Sequence, residues 1–244
     1  MSELNDHARR AHALLSASSA ERWLACPPSA VAAEGYPDQD TEFTREGTLA
    51  HEVAEAIASD RQVDLIGGIT REMVECAEGY RDYIQEQLKS ADALVLLEQR
   101  VDYSPWAPDG FGTCDCIILQ GDTMTVIDYK FGQGVPVSAV DNPQMKLYAL
   151  GALNDFGIAY DVSQVEMHIY QPRINNISRD SLAVSELLVW AEETVKPAAA
   201  KAAVGKGQYK AGAWCKFCPH AGRCKTLTKT CTEYVETHSL RVAV

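Results

Sequence analysis

The sequence lacks a long hydrophobic run, although 46% of its 244 residues are apolar. No stretch approaches the ~18 apolar residues that a membrane-spanning helix needs. The start of the chain, Met1 to Asp6, has neither the basic nor the apolar part of a secretory signal. These absences predict a cytoplasmic protein that has no membrane partner. The composition is that of a chain with a substantial core, and we expect one elaborated domain over residues 1–244.

Acidic residues are missing from one stretch of an otherwise acidic chain. The formal net charge is -12, yet residues 196–230 contain no Asp or Glu and eight Lys or Arg residues. Such a stretch is either a track for nucleic-acid phosphates or a solubilising surface, and charge alone leaves both interpretations open. The acidic remainder is compatible with a homo-oligomer that encloses a basic channel.

Disulfides are also not expected, because thiols stay reduced in the cytoplasm and closely spaced cysteines there indicate metal or cluster binding. Three of the eight cysteines form the motif Cys-x2-Cys-x5-Cys, Cys215, Cys218 and Cys224, and Cys26 lies far upstream. Four thiolates suit an iron–sulfur cluster or structural zinc, and His220 offers a zinc set without Cys26. Zinc ribbons bring ligands in two close pairs, so the remote Cys26 favours a 4Fe–4S cluster. Residues 14–34 and 205–230 are then the cluster-binding segments, and residues 1–13 are predicted to be a flexible tail.

The order of helix-like and strand-like patterns predicts the fold class. Cap residues and apolar spacing indicate helices, and β-branched runs bounded by turn residues indicate strands. Gln120-Gly121-Asp122 predicts a tight hairpin turn. We expect an α/β sandwich around a mixed central β-sheet flanked by helices. The predicted helices cover about 16–26, 44 onward, 71–90, 142–156 and 186–195, and the predicted strands cover 94–102, 111–119, 123–130, 165–172 and 181–184.

Chemistry-bearing residues lie on the predicted hairpin. Asp128 and Lys130 are two residues apart on a strand and share one face, while Tyr129 points away. Across the turn, Asp115 lies nearly opposite Asp128, and two carboxylates so close repel unless a cation lies between them. Magnesium suits such a site. Cys114 and Cys116 flank Asp115, and we expect both on the opposite face of the strand, in the core.

Four motifs in this order resemble those of the PD-(D/E)XK nucleases of the RecB type: Glu46-Gly-Thr-Leu-Ala-His51, Gly112-Thr-Cys-Asp115, Ile127-Asp128-Tyr-Lys130 and Gln144-Met-Lys-Leu-Tyr148. With the four cysteines, the chain resembles the iron–sulfur subset of that group, which includes CRISPR-adaptation exonucleases and phage or prophage recombination exonucleases. The resemblance covers about residues 16–230. It implies a restriction-endonuclease-like core over residues 44–200, with an iron–sulfur clasp that joins the N- and C-terminal segments.

The resemblance also implies roles for individual residues. His51, Asp115, Asp128 and the backbone carbonyl of Tyr129 would bind Mg²⁺ or Mn²⁺. Lys130 would be catalytic, and Gln144 and Tyr148 would position the substrate. Three residues rank lower. Glu55, one turn beyond His51, either orients its imidazole or joins the metal ligands. Glu98 on the first strand is either aimed at the same site or an ordinary exposed strand residue, and Arg173 is either a phosphate contact or a structural salt bridge.

The expected function is that of a metal-dependent DNA exonuclease that hydrolyses phosphodiester bonds at DNA ends or in single strands, in phage recombination or DNA processing. One alternative is a catalytically silent DNA-binding or assembly module that keeps the nuclease fold and the cluster. Another is a CRISPR-adaptation end-processing nuclease. A recombination protein or a single-strand-binding protein is a further expected partner. The expected location is the cytoplasm of a bacterial host cell, and the gene is either the host's own or carried by a phage.

Overall fold

A five-stranded mixed sheet organises the chain, for which a computed structural model describes residues 13–36 and 41–239. The strands lie side by side in sequence order. The first three form an antiparallel meander, the third and fourth are parallel, and the fifth returns antiparallel. The predicted mixed sheet with flanking helices is therefore confirmed. The strands are β1 (Leu94–Asp102), β2 (Phe111–Gln120), β3 (Thr123–Tyr129), β4 (Gln164–Gln171) and β5 (Asn176–Ala183).

Helices cover both faces of the sheet and build two separate cores. The smaller core packs α3 (Glu42–Ala58) and α4 (Arg71–Gln87) against one face, and the larger packs α5 (Pro143–Tyr160) with the N-terminal and later helices against the other. The helices are α1 (Ala20–Ala25), α2 (Ser29–Ala33), α3 (Glu42–Ala58), α4 (Arg71–Gln87), α5 (Pro143–Tyr160), α6 (Val184–Trp190), α7 (Lys196–Ala202) and α8 (Lys225–Ser239), with a π-helical turn (Ala191–Val195) between α6 and α7.

Local sequence signals set the ends of the elements that carry the site. The Thr41 side chain accepts a hydrogen bond from the backbone of Thr44 at the start of α3. At the start of α5, Asn142 accepts bonds from two backbone N–H groups and Pro143 occupies the first helical turn, a pairing typical of helix N-termini. Gly121 adopts φ 58° between β2 and β3, so the predicted hairpin is confirmed.

The regular alternation of side chains breaks in β1 and β2 at the same level. Leu97 pairs with Cys116 and Gln99 with Cys114, so Glu98 and Asp115 face each other between these pairs. Cys116 lies in the α3/α4 core, whereas Cys114, two residues away, lies in the α5 core. Residues two apart share a face in a regular strand. The prediction that Cys114 and Cys116 share one face is therefore wrong, although both are buried.

Several predicted boundaries also shift. Strand β5 begins at Asn176 rather than at 181, and α5 continues to Tyr160. The last predicted helix, 186–195, is instead α6 followed by a π-helical turn. Residues 1–12 of the predicted tail lie outside the described residues, but Ala13 is described and buried, so the tail does not include it. Among the described residues, no helix combines the length and apolarity that crossing a membrane requires.

Candidate functional site

Asp115 links the α3 helix to the edge of the hairpin. Its Oδ1 accepts a hydrogen bond of 3.1 Å from His51 Nδ1, and its Oδ2 accepts one of 2.6 Å from the backbone N–H of Tyr129. The His51 ring stands edge-on to the Tyr129 ring, with centroids 5.4 Å apart. One carboxylate thus joins the predicted His51 motif to the predicted Asp128–Lys130 motif, as a site shared between them requires.

Glu98 of β1 converges on the same place. One ligand atom each from His51, Glu98 and Asp115 lies within 4.8 Å of the others. Burial and the charge of Asp115 raise the pKa of Glu98 to about 7. Burial opposes a proton on His51, yet the charge and hydrogen bond of Asp115 prevail and raise the pKa of His51 to about 8. Two carboxylates and one imidazole therefore converge here.

Asp128 occupies the other half of the site, on the α5 face. It is only 3% exposed. Its Oδ2 lies 2.9 Å from Lys130 Nζ, and its Oδ1 accepts a 3.1 Å hydrogen bond from Gln144 Nε2. Burial raises the pKa of Asp128, against the effect of Lys130. Burial works against the charge on Lys130, but the charge and hydrogen bond of Asp128 prevail and raise the pKa of Lys130.

Gln144 and Tyr148 brace this half, as their i,i+4 spacing on α5 predicts. Gln144 Nε2 lies 3.2 Å from the Tyr148 hydroxyl, and Lys130 Nζ lies 3.5 Å from Gln144 Oε1. The Tyr148 ring fits because residue 112 is glycine, where an added Cβ would lie 2.6 Å from ring atom Cε1. The glycine of the Gly-Thr-Cys-Asp motif therefore makes room for the tyrosine.

The donor set fits a divalent cation. Two carboxylates, Glu98 and Asp115, and the His51 imidazole converge within 4.8 Å, while the buried Asp128 already has a positive partner in Lys130 Nζ, 2.9 Å from its Oδ2. Carboxylate oxygens with one imidazole nitrogen suit Mn²⁺ and Mg²⁺.

The two other lower-ranked residues have different partners. Glu55 pairs with Arg61 at 2.7 Å and is not among the converging ligand atoms. Arg173 contacts Glu46 at 3.2 Å, binds both carboxylate oxygens of Glu72, and lies over the Phe131 ring at 4.4 Å. Of the two predicted roles for Arg173, the structural salt bridge is the one observed. It ties α3 and α4 to the loop after Lys130.

The first and last segments that the structure describes meet near the cysteines. Cys26 is buried at the end of α1, and its Sγ accepts a hydrogen bond of 3.4 Å from the backbone N–H of Lys210. Arg22 lies beside both Cys26 and Cys218, and its side chain hydrogen-bonds Cys218. His220 Nδ1 is engaged by the Tyr36 hydroxyl at 3.1 Å. None of the eight cysteines forms a disulfide.

Sequence reasoning ranked Glu98 low, although it named Glu98 as aimed at this site and the structure brings it to His51 and Asp115. It missed the contact between Gly112 and Tyr148. The contact of Gly112 with Tyr148 joins a strand to a distant helix, and no local pattern indicates it.

Fold and site define a mixed α/β protein in which three side chains able to hold a metal ion, His51, Glu98 and Asp115, converge. The chain belongs to the family described as "Protein of unknown function (DUF2800)", whose sequence model matches residues 12–241. A solved structure described as "Crystal structure of SSO0001" is a distant structural match, with 12% sequence identity over 91% of this chain and 92% of that chain and a TM-score of 0.41.

Proposed function

We propose that this protein is a metal-dependent DNA exonuclease of the PD-(D/E)XK type. The proposal rests mainly on Asp115, which contacts His51 of α3 and the Tyr129 backbone of β3 at once. This contact places the His51 motif against the strand that carries Asp128 and Lys130. The resemblance in motif order supports the same conclusion.

The chain's own residues have separate tasks in this proposal. His51, Asp115, Asp128 and the Tyr129 carbonyl would hold Mg²⁺ or Mn²⁺. When bound, such a cation supplies an activated water and positive charge toward the phosphate oxygens. Lys130, protonated beside Asp128, stabilises negative charge that develops on the phosphate. Gln144 contacts both Asp128 and Lys130 and so fixes their relative positions, and the Tyr148 hydroxyl in turn contacts Gln144.

We extend the proposal to a structural 4Fe–4S cluster bound by Cys26, Cys215, Cys218 and Cys224. The proximity of Cys26 to the C-terminal cysteines supports a clasp between the two ends. One remote cysteine with a compact C-terminal trio favours the cluster over a zinc ribbon, whose ligands come in two close pairs.

Nuclease activity is tested by digestion of end-labelled single- and double-stranded DNA with Mg²⁺ or Mn²⁺, with anaerobically purified protein. The expected result is a ladder that shortens from one end and is absent with Lys130→Ala. Binding without cleavage would indicate the silent DNA-binding module instead. Undiminished cutting by Lys130→Ala would contradict the assignment of this active site.

The cluster is tested by the colour and metal content of the same preparation. A brown protein with broad visible absorption and four irons per chain is expected, bleached and destabilised by Cys26→Ala. A colourless protein with one zinc per chain would replace the cluster with structural zinc. A stable, brown Cys26→Ala variant would refute the clasp.

A further inference from the structure

The backbone at Glu98 is in an unusual conformation for its place in the sheet. Glu98 has φ 46° in the middle of β1, within the left-handed region that side-chain-bearing residues adopt reluctantly. Strain of this kind persists only where the surroundings hold it, and it concentrates at functional sites. Here it coincides with the break in side-chain alternation, which turns the carboxylate of Glu98 toward Asp115.

The electrostatic surroundings make the strained position more unfavourable still. The charged groups that face Glu98 are three carboxylates, Asp115, Glu55 and Asp128, against the single imidazole of His51. Glu55 is neutralised by Arg61, and Asp128 by Lys130. Asp115 and Glu98 therefore share His51, and like charges at facing positions of two strands destabilise a sheet.

Strain and repulsion at one residue are explained together if a positive ion is the missing partner. We propose that Glu98 is a direct ligand of a divalent cation, with His51 and Asp115, and that the irregularity shared by β1 and β2 serves to aim its carboxylate into that site. The inference rests on the proposed function for the existence of the cation and adds a ligand from a third strand. The geometry supports the assignment, because one ligand atom each from His51, Glu98 and Asp115 lies within 4.8 Å of the others.

The ligand set carries a preference among metals. Imidazole nitrogen binds Mn²⁺ more readily than Mg²⁺, which favours oxygen ligands and regular octahedral geometry. A site with one histidine and a side chain from an irregular strand therefore favours Mn²⁺. Mg²⁺ competes for it only at higher concentration.

The experiment compares Glu98→Gln with Glu55→Gln in the cluster-loaded, full-length protein. Both substitutions remove one carboxylate near His51, but of the two only Glu98 converges with His51 and Asp115. Mn²⁺ affinity is measured by the EPR signal of free Mn²⁺, and thermal stability is measured in EDTA. We expect Glu98→Gln to weaken Mn²⁺ binding by about 10-fold or more, while its melting temperature in EDTA is unchanged or higher because the repulsion from Asp115 is gone. Glu55→Gln should bind Mn²⁺ nearly as the unsubstituted protein does.

Each other outcome has a distinct meaning. Equal Mn²⁺ affinity for Glu98→Gln and the unsubstituted protein would overturn the assignment of Glu98 as a ligand. Equal weakening by both substitutions would reduce the effect to general charge, and a lower melting temperature of Glu98→Gln in EDTA would make its role structural; either result overturns the proposal. If the unsubstituted protein binds no Mn²⁺, the cation site fails, and the proposed nuclease function fails with it.

Discussion

The two faces of the sheet hold their charged residues in different ways. On the α5 face, Asp128 is matched by Lys130, Gln144 and Tyr148, and the group is braced before any ligand arrives. On the α3/α4 face, Glu98 and Asp115 share one histidine. The two faces therefore differ in how their carboxylates are neutralised. Asp128 on the α5 face has its own lysine, whereas Glu98 and Asp115 on the α3/α4 face have one histidine between them, and we infer that a cation completes their neutralisation.

The α3/α4 face also contains polar groups inside its core. Tyr80 and Tyr129 are buried with hydroxyls that have no hydrogen-bond partner among the described residues, and His168 is 2% exposed. Arg173 joins this face through carboxylates on α3 and α4. Its stability should therefore respond to pH and to charge removal, whereas the α5 face should respond mainly to the loss of single braces.

The largest effect is expected from Lys130→Met on the α5 face. The substitution leaves Asp128 buried without its charge partner, which should lower the free energy of unfolding by about 3 to 5 kcal/mol and reduce DNA cleavage by about 100-fold or more. Chemical denaturation and the cleavage assay measure the two effects.

The control is Lys196→Met, which removes the exposed ion pair with Glu192 and should change the free energy of unfolding by less than about 0.5 kcal/mol. Equal effects of the two substitutions would contradict the stabilising role of Lys130 beside buried Asp128.

The pH dependence of stability tests the α3/α4 face through His168. Burial, aided by Arg179, lowers the pKa of His168 from 6.5 to about 4. The unfolded chain therefore binds a proton that the folded protein excludes. The stabilisation is complete above pH 6.5 and is lost as the pH falls toward 4, by about 3 kcal/mol in all.

His168→Gln keeps a polar side chain there without the titration. Denaturation midpoints measured between pH 7 and 4 should fall less steeply for this variant than for the unsubstituted protein. Parallel slopes would show that His168 is not the group responsible.

Arg173→Met should lower the free energy of unfolding by about 2 kcal/mol, because it leaves Glu46 and Glu72 without their shared cation and Phe131 without its stacking partner. Arg173→Lys should recover only part of the loss, since lysine cannot bind both oxygens of Glu72 in the same plane. Arg81→Met, which removes a solvent-exposed contact with Asp82, is the control and should leave the unfolding transition where it is.

The smallest effect concerns the brace itself. Gly112→Ala should lower the free energy of unfolding by about 1 to 2 kcal/mol, because the new methyl group would press on the Tyr148 ring. Cleavage should fall with it as Gln144 loses its partner. Gly134→Ala meets no atom within 4 Å and should be neutral; a silent Gly112→Ala would mean that Tyr148 moves without consequence for the site.

Local patterns were sufficient for much of this protein. The hairpin about Gly121, the start of α5 at Asn142 and Pro143, and the shared face of Asp128 and Lys130 all depend on residues within a few positions of one another. Hydrogen bonding and side-chain period determine such features directly. The sequence by itself therefore determined the element order, the mixed sheet and most residues of the candidate site.

Tertiary structure decided which carboxylates lie beside the same positive partner. The break in alternation at Glu98 and Asp115 depends on how β1 registers against β2 and on the cores that cover the two faces, neither of which a local pattern encodes. The same holds for the salt bridges of Arg173, whose partners lie a hundred or more residues away along the chain. Packing, not residue type, separated Asp128, which contacts Lys130 and Gln144, from Glu98, because only the folded sheet brings carboxylates from two strands to one histidine.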